Sequence, residues 1–74
     1  MKVRILFFAM LREKMKTSEQ VYEIEPEETV AALARRLLGS ETSLLFAVNH
    51  EYVPSNYKLK AGDEVAFIPP VAGG

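Results

Sequence analysis

The chain has 74 residues, of which 49% are hydrophobic, and it carries a formal net charge of −1 and no cysteine. This length predicts a single domain, residues 1–74, with one small core, and the lack of cysteine excludes disulfides, thiolate metal sites and a cysteine nucleophile. Charges of both signs are interspersed and no apolar run is long enough to span a membrane, so we expect a soluble, cytoplasmic protein that binds neither nucleic acid nor membranes.

Residues 1–25 alternate between polar and apolar side chains in two places, which predicts two strands. The segment "KVRILFF" alternates and then becomes apolar on both faces, as a strand entering the middle of a sheet does. The segment "VYEIE" alternates again and predicts a second strand, paired with the first in a hairpin-like arrangement. Between them, Leu11 and Met15 are four residues apart, a spacing compatible with one or two helical turns.

The clearest predicted element is a helix that follows Thr29, a residue type that caps helix N-termini well. Its apolar face consists of Val30, Leu33, Ala34 and Leu37. Glu27 and Glu28 stand where the helix dipole favours negative charge, and residues 35–36 are both arginine near the other end. Gly39 predicts the end of the helix.

The rest of the chain predicts three strands joined by tight turns. "LLFAVNHEYV" reads as a strand, a turn in which Asn49 tolerates a left-handed backbone, and a short returning strand. A turn at Gly62 precedes the last strand, residues 64–68. The order β-β-α-β-β-β, with a small extra helix after the first strand, indicates an α+β domain with a mixed sheet and one main helix on one face. A β-grasp, ubiquitin-like roll is the preferred arrangement, and other small α+β topologies fit the same order.

Strand alternation also predicts an apolar patch on the sheet face away from the helix. If Ile5 and Phe67 face the helix, their neighbours along the strands face the other way. The predicted members of the patch are Leu6, Phe8, Ala66, Ile68 and, from the short strand, Tyr52. Such a patch suggests a partner surface. The alternative is a sheet edge partly covered by residues 10–15.

The sequence offers no catalytic constellation. His50 falls in a predicted turn with no triad-like partners, so we interpret it as a turn residue. The adjacent acids 27–28 suit a helix start, and the pair 63–64 suits a turn entering a strand. No metal-ligand spacing or phosphate-binding glycine motif is present. We therefore expect a chain that is not a free-standing enzyme and that binds no cofactor itself.

The C-terminal residues 69–74 are predicted to form a projecting tail. Pro69 and Pro70 fix φ and lack an N–H donor, so they stop the last strand and stiffen the start of the tail. Gly73 and Gly74 have no side chains, so they can thread a narrow channel and expose the Gly74 carboxylate to a partner's groups. A carboxylate must be activated before it reacts. Transfer to AMP followed by attack of a sulfur nucleophile would convert it to a thiocarboxylate, with ATP and catalysis supplied by partners.

The segments "ILFFAMLRE", "LLFAVNHEYV" and "GDEVAFIPPVAGG" resemble the MoaD-like sulfur carriers of the ubiquitin-like superfamily, the small subunits of molybdopterin synthase in the MoaD/ThiS family. The resemblance spans nearly the whole chain. It implies a β-grasp fold, adenylation of Gly74 by an E1-like enzyme that uses ATP, and sulfuration by a sulfur donor protein. The tail would then enter the large subunit and pass its sulfur to cyclic pyranopterin monophosphate during molybdenum cofactor biosynthesis.

The resemblance further implies a heterotetramer in which two small subunits flank a large-subunit dimer that carries the catalytic lysines. This chain would be a non-catalytic subunit and co-substrate. Together with the apolar patch, the resemblance assigns partner binding to Phe8, Tyr52, Ile68, Pro69, Pro70, Val71 and Ala72. Related carriers for thiamine thiazole synthesis share the Gly-Gly end, whereas the paired prolines and "FFAMLRE" favour the molybdopterin branch. A further alternative is a ubiquitin-like interaction module that does not react.

Overall fold

The secondary structure follows the predicted order, with the small extra helix present. The computed structural model describes residues 1–39 and 44–69. In these ranges the elements are β1 (Lys2–Phe7), α1 (Met10–Met15), β2 (Glu19–Glu23), α2 (Val30–Leu38), β3 (Leu45–Val48), β4 (Glu51–Val53) and β5 (Glu64–Ile68). The last strand has the predicted bounds.

The strands form one mixed sheet in the order β2-β1-β5-β3-β4. The pair β1 and β5 is parallel, and the other neighbours are antiparallel. The C-terminal strand β5 is therefore central in the sheet. The predicted β-grasp roll is confirmed, because α2 buries its apolar side against one face of this sheet.

The second strand begins earlier than the predicted segment 21–25. Its ladder with β1 runs from the pair Lys2 and Glu23 to the pair Leu6 and Glu19. The polar residues 19–20 therefore belong to the strand because their backbone pairs with β1, although their side chains follow no apolar pattern. Ile24, just after the strand, is 3% exposed and packs in the core. Ile24 extends the alternating pattern of "VYEIE" beyond the end of the strand.

Helix α2 has the predicted caps. The Ala32 backbone N–H donates to Thr29 Oγ1 at 3.1 Å, and Gly39 adopts a φ of +84°, a conformation that glycine adopts without strain. The buried residues of the helix are Val30, Leu33, Ala34 and Leu38, and the predicted Leu37 packs against the same core half-buried. Glu28 precedes the helix and accepts a hydrogen bond from Arg36 Nε at 3.1 Å, so the last turn of the helix is tied to its start by an ion pair.

The predicted inward-facing residues of β1 and β5 form the centre of the core. Val3, Ile5, Phe7, Val65 and Phe67 are each at most 1% exposed. Helix α1 packs on the same side as α2, because Leu11 belongs to this core and Lys14 Nζ donates to the Leu38 carbonyl at 3.3 Å. The alternative in which residues 10–15 cover the apolar patch is therefore wrong.

Candidate functional site

The sheet face opposite α2 carries a continuous apolar surface. Strand registers place Leu6, Ala66, Ala47 and Tyr52 in one row across β1, β5, β3 and β4. In the next row, Ile68 of β5 lies opposite Leu45 of β3. With Phe8, which follows β1, we call this surface the open-face patch, and its large members are Leu6, Phe8, Leu45, Tyr52 and Ile68.

The open-face patch is accessible to a partner. Phe8 is 44% exposed, Leu45 54% and Tyr52 73%, while Leu6, Ala66 and Ile68 are half-buried. The predicted members thus lie on one surface, as expected. Leu45 was not predicted. It precedes the buried Phe46 in "LLFAV", so the alternation of side chains between the two sheet faces, which predicted Leu6, also places Leu45 on the open face.

One end of the patch lies at the point where the chain leaves the sheet. Phe7 pairs with Phe67 in parallel register, so Phe8 lies beside Ile68, the last residue of the central strand. Leu45 flanks Ile68 on the other side. We call Ile68–Pro69 the tail root. Phe8, Ile68 and Leu45 thus form an apolar row across three neighbouring strands at the tail root.

The structure separates the predicted tail residues into two groups. Pro69 is described, and it is buried. It therefore does not offer a contact surface, and its assignment to partner binding gains no support from the structure. The other predicted tail residues, Pro70, Val71, Ala72, Gly73 and Gly74, lie outside the described residues.

A charged cluster bounds the open-face patch at the end away from the tail root. Arg4 lies two residues before Leu6 on β1 and pairs with Glu64 of β5 and, at 3.7 Å, with Glu19 of β2. His50 Nε2 and Glu64 Oε1 are 2.8 Å apart. The open face thus has an apolar end around the tail root and a polar end around Glu64. This arrangement favours one docking orientation for a partner.

His50 and Asp63 have structural surroundings. His50 lies in the turn between β3 and β4 with a φ of 74°, which agrees with the predicted turn role. Asp63 is 6% exposed and accepts hydrogen bonds from Asn49 Nδ2 at 3.0 Å and the Lys60 N–H at 2.8 Å. Asn49 Oδ1 also accepts from the Glu64 N–H at 3.0 Å. These bonds fix the β3–β4 turn to the start of β5.

Residues 1–39 and 44–69 contain no group of three or more His, Cys, Asp or Glu residues that could hold a metal ion. Over the same ranges, neither helix has the length and apolar character that crossing a membrane requires.

Comparison with known proteins gives the family. The model of the ThiS family matches residues 5–74. The chain belongs to the ThiS family. This ThiS family member is 36% identical to the molybdopterin synthase sulfur carrier subunit of Chlamydomonas reinhardtii, in an alignment that covers 100% of both chains.

Solved structures show the same fold. The ThiS family member is similar to a chain in the complex of subunits 1 and 2 of the molybdopterin-converting factor from Helicobacter pylori, with 25% identity, a TM-score of 0.66 and 100% of both chains covered. It is also similar to small archaeal modifier protein 1 of Haloferax volcanii, with 21% identity, a TM-score of 0.83, and 95% of this chain and 98% of that chain covered. The second likeness concerns the fold alone.

Proposed function

We propose that this ThiS family member is the sulfur carrier subunit of molybdopterin synthase in molybdenum cofactor biosynthesis. The observation that carries the proposal is the apolar row at the tail root, formed by the exposed Phe8 and Leu45 and the half-buried Ile68. A partner that binds this row lies next to Pro69, five residues before the terminal Gly74. The full-length relative named as a sulfur carrier subunit supports this assignment.

The reacting group is the carboxylate of Gly74. An E1-like partner joins this carboxylate to the AMP part of ATP and releases pyrophosphate. This activation is needed because a free carboxylate has no adequate leaving group. The sulfur donor protein then delivers a sulfide-level sulfur nucleophile that attacks the acyl adenylate, AMP leaves, and a thiocarboxylate remains on Gly74. Gly73 supplies the narrow backbone that a channel to the acceptor requires. The chain is a carrier and co-substrate, and ATP is bound by the adenylating partner.

The acceptor complex is the molybdopterin synthase large subunit, in a heterotetramer of two small and two large subunits. The open-face patch is the contact surface, and the Helicobacter pylori complex of subunits 1 and 2 of the molybdopterin-converting factor supports a large-subunit partner. Sulfur then passes from Gly74 to cyclic pyranopterin monophosphate. Because adenylation consumes ATP, we place this chemistry in the cytoplasm.

The substitution Phe8→Asp tests the docking surface. We expect the affinity for the cognate large subunit, measured by isothermal titration calorimetry, to fall at least ~30-fold, the scale of a central aromatic contact. A carboxylate in the apolar row would have to be desolvated on docking. The fold should survive, because Phe8 is 44% exposed and lies outside the core.

The control for this test is Gln20→Asp. Gln20 is exposed on the edge strand β2 opposite the core residue Ile5, so it lies on the sheet face away from the open-face patch. This variant introduces the same charge at an exposed position and should bind with the affinity of the unchanged chain. Equal affinities for Phe8→Asp and the unchanged chain would remove the patch from the interface.

A further inference from the structure

The turn between β3 and β4 has a histidine where glycine is the favoured residue. Val48 pairs with Glu51, so the loop of this hairpin consists of Asn49 and His50, whose φ angles are 52° and 74°. Positive φ at both positions defines a type I′ turn, for which Asn-Gly is a preferred sequence. Asn49 fits this preference, whereas glycine would adopt the backbone of His50 at a lower steric cost. The turn alone therefore does not account for the histidine.

The imidazole of His50 lies at the border of the open-face patch. Glu64 pairs in register with Arg4 and precedes the buried Val65, so its side chain belongs to the open face. His50 Nε2 is 2.8 Å from Glu64 Oε1, which places the ring on this face as well, one row from Tyr52. The side chain of His50 is nevertheless 82% exposed. The ring is therefore held in place by Glu64 and remains accessible to a protein that docks on the patch.

The contact with Glu64 determines which ring nitrogen carries the hydrogen. An ionised carboxylate only accepts hydrogen bonds, so His50 Nε2 is the donor to Glu64. In the neutral imidazole the other nitrogen, Nδ1, is then a hydrogen-bond acceptor. Glu64 is the one hydrogen-bond partner of the His50 side chain in residues 1–39 and 44–69. Neutral His50 therefore offers an acceptor to a partner on the docking face.

The surroundings of His50 favour a positively charged partner group. In the charged cluster, Arg4 contributes one positive charge and Glu19 and Glu64 one negative charge each, so the cluster has a net charge of −1 when His50 is neutral. A shallow, open cleft of about 500 Å³ lies beside it and is lined by Arg4, Asn49, His50, Gly62 and Glu64. The cleft has room for the end of an arginine or lysine side chain, and the net charge attracts it.

We propose that His50 is a specificity-determining residue for docking of the large subunit. Its Nδ1 accepts a hydrogen bond from an arginine or lysine of the large subunit that enters the cleft while the apolar row at the tail root is covered. Because the apolar contacts lie at one end of the open face and this polar contact at the other, the pair fixes the orientation of the docked partner. The inference rests on the proposed function and adds a polar contact to the same docking surface.

The substitution His50→Gly tests the contact without disturbing the turn. We expect the dissociation constant for the cognate large subunit, measured by isothermal titration calorimetry, to rise about tenfold, the scale of one hydrogen bond to a charged group. The midpoint of thermal unfolding should stay the same or rise, because Asn-Gly suits a type I′ turn and Glu64 keeps its ion pair with Arg4. A merely structural histidine would lower the midpoint and leave the affinity of the folded chain unchanged.

The substitution His50→Arg tests the sign of the partner's charge. Arginine keeps a donor for Glu64 but has no acceptor and adds a positive charge, so we expect a larger loss of affinity than for His50→Gly. The matched control is Glu51→Gln, which changes the net charge of the chain by the same amount. Glu51 is exposed and lies opposite the buried Val48, on the other side of the sheet. This control should bind with the affinity of the unchanged chain.

Three results would overturn the role of His50. They are full affinity of His50→Gly, tighter binding by His50→Arg, which would indicate a carboxylate on the partner, and an equal loss of affinity in Glu51→Gln. Full affinity of both His50 variants together with weak binding by Phe8→Asp would overturn this inference alone. Failure of the unchanged chain to bind the large subunit would instead contradict the proposed function, and the inference with it.

Discussion

A chain that lacks Gly74 is expected to form no molybdopterin in a reconstituted synthase reaction while unfolding at the same temperature as the full chain. The deletion withdraws the terminal carboxyl by one residue, about 3.3 to 3.6 Å of extended backbone. Misplacement by even ~1 Å lowers catalytic rates about 100-fold. The described core uses residues up to Phe67, so thermal unfolding followed by circular dichroism should show no change.

The truncated chain also separates docking from chemistry. The open-face patch is intact in it, so titration with the large subunit should give an affinity close to that of the full chain. Phe8→Asp should show the opposite pattern, with an intact tail and weak docking. Product formation by the truncated chain at the rate of the full chain would show that Gly74 does not carry the sulfur.

Replacing Phe67 with alanine is expected to remove a large part of the stability of the fold. Phe67 is 0% exposed on the central strand, and its ring meets those of Phe7 and Phe46 edge-on, at centroid distances of 6.3 and 5.8 Å. A buried Phe→Ala change costs about 3 to 5 kcal/mol. A domain of this length has about 4 to 11 kcal/mol of stability in total. The midpoint of thermal unfolding should fall by at least ~12 °C.

The matched control replaces the neighbouring exposed phenylalanine. Phe8→Ala removes the same group from a side chain that is 44% exposed, so urea unfolding should show a loss of about 1 kcal/mol or less, while docking weakens. Phe67 thus stabilises the core, and Phe8 contributes to the interface. Similar losses of stability in both variants would contradict the assigned strand faces.

The elements that the sequence predicted well are those defined by local patterns. Alternation in "EVAFI" gave the bounds of β5, and Thr29 and Gly39 gave the ends of α2. The same alternation separated buried Phe67 from the open-face patch. These features depend on residues close in sequence, where backbone periodicity and capping act directly.

Features that depend on distant pairing were not predictable in the same way. The early start of β2 follows from its ladder with β1. The charged cluster of Arg4, Glu19, Glu64 and His50 joins residues from three strands and a turn, so it appears only once the strand order is known. Ala9 has a φ of 51°, which alanine rarely adopts, and no local sequence pattern predicts this conformation.

The central claim is that Gly74 accepts sulfur, and intact mass spectrometry tests it most directly. The full chain and the chain without Gly74 are incubated with a molybdopterin-type adenylating enzyme, ATP and a sulfur donor. We expect the full chain alone to gain the mass difference between one sulfur and one oxygen atom. A gain only with a thiamine-type adenylating enzyme would move the chain to that pathway. No gain with either enzyme would contradict the carrier function and leave a binding module.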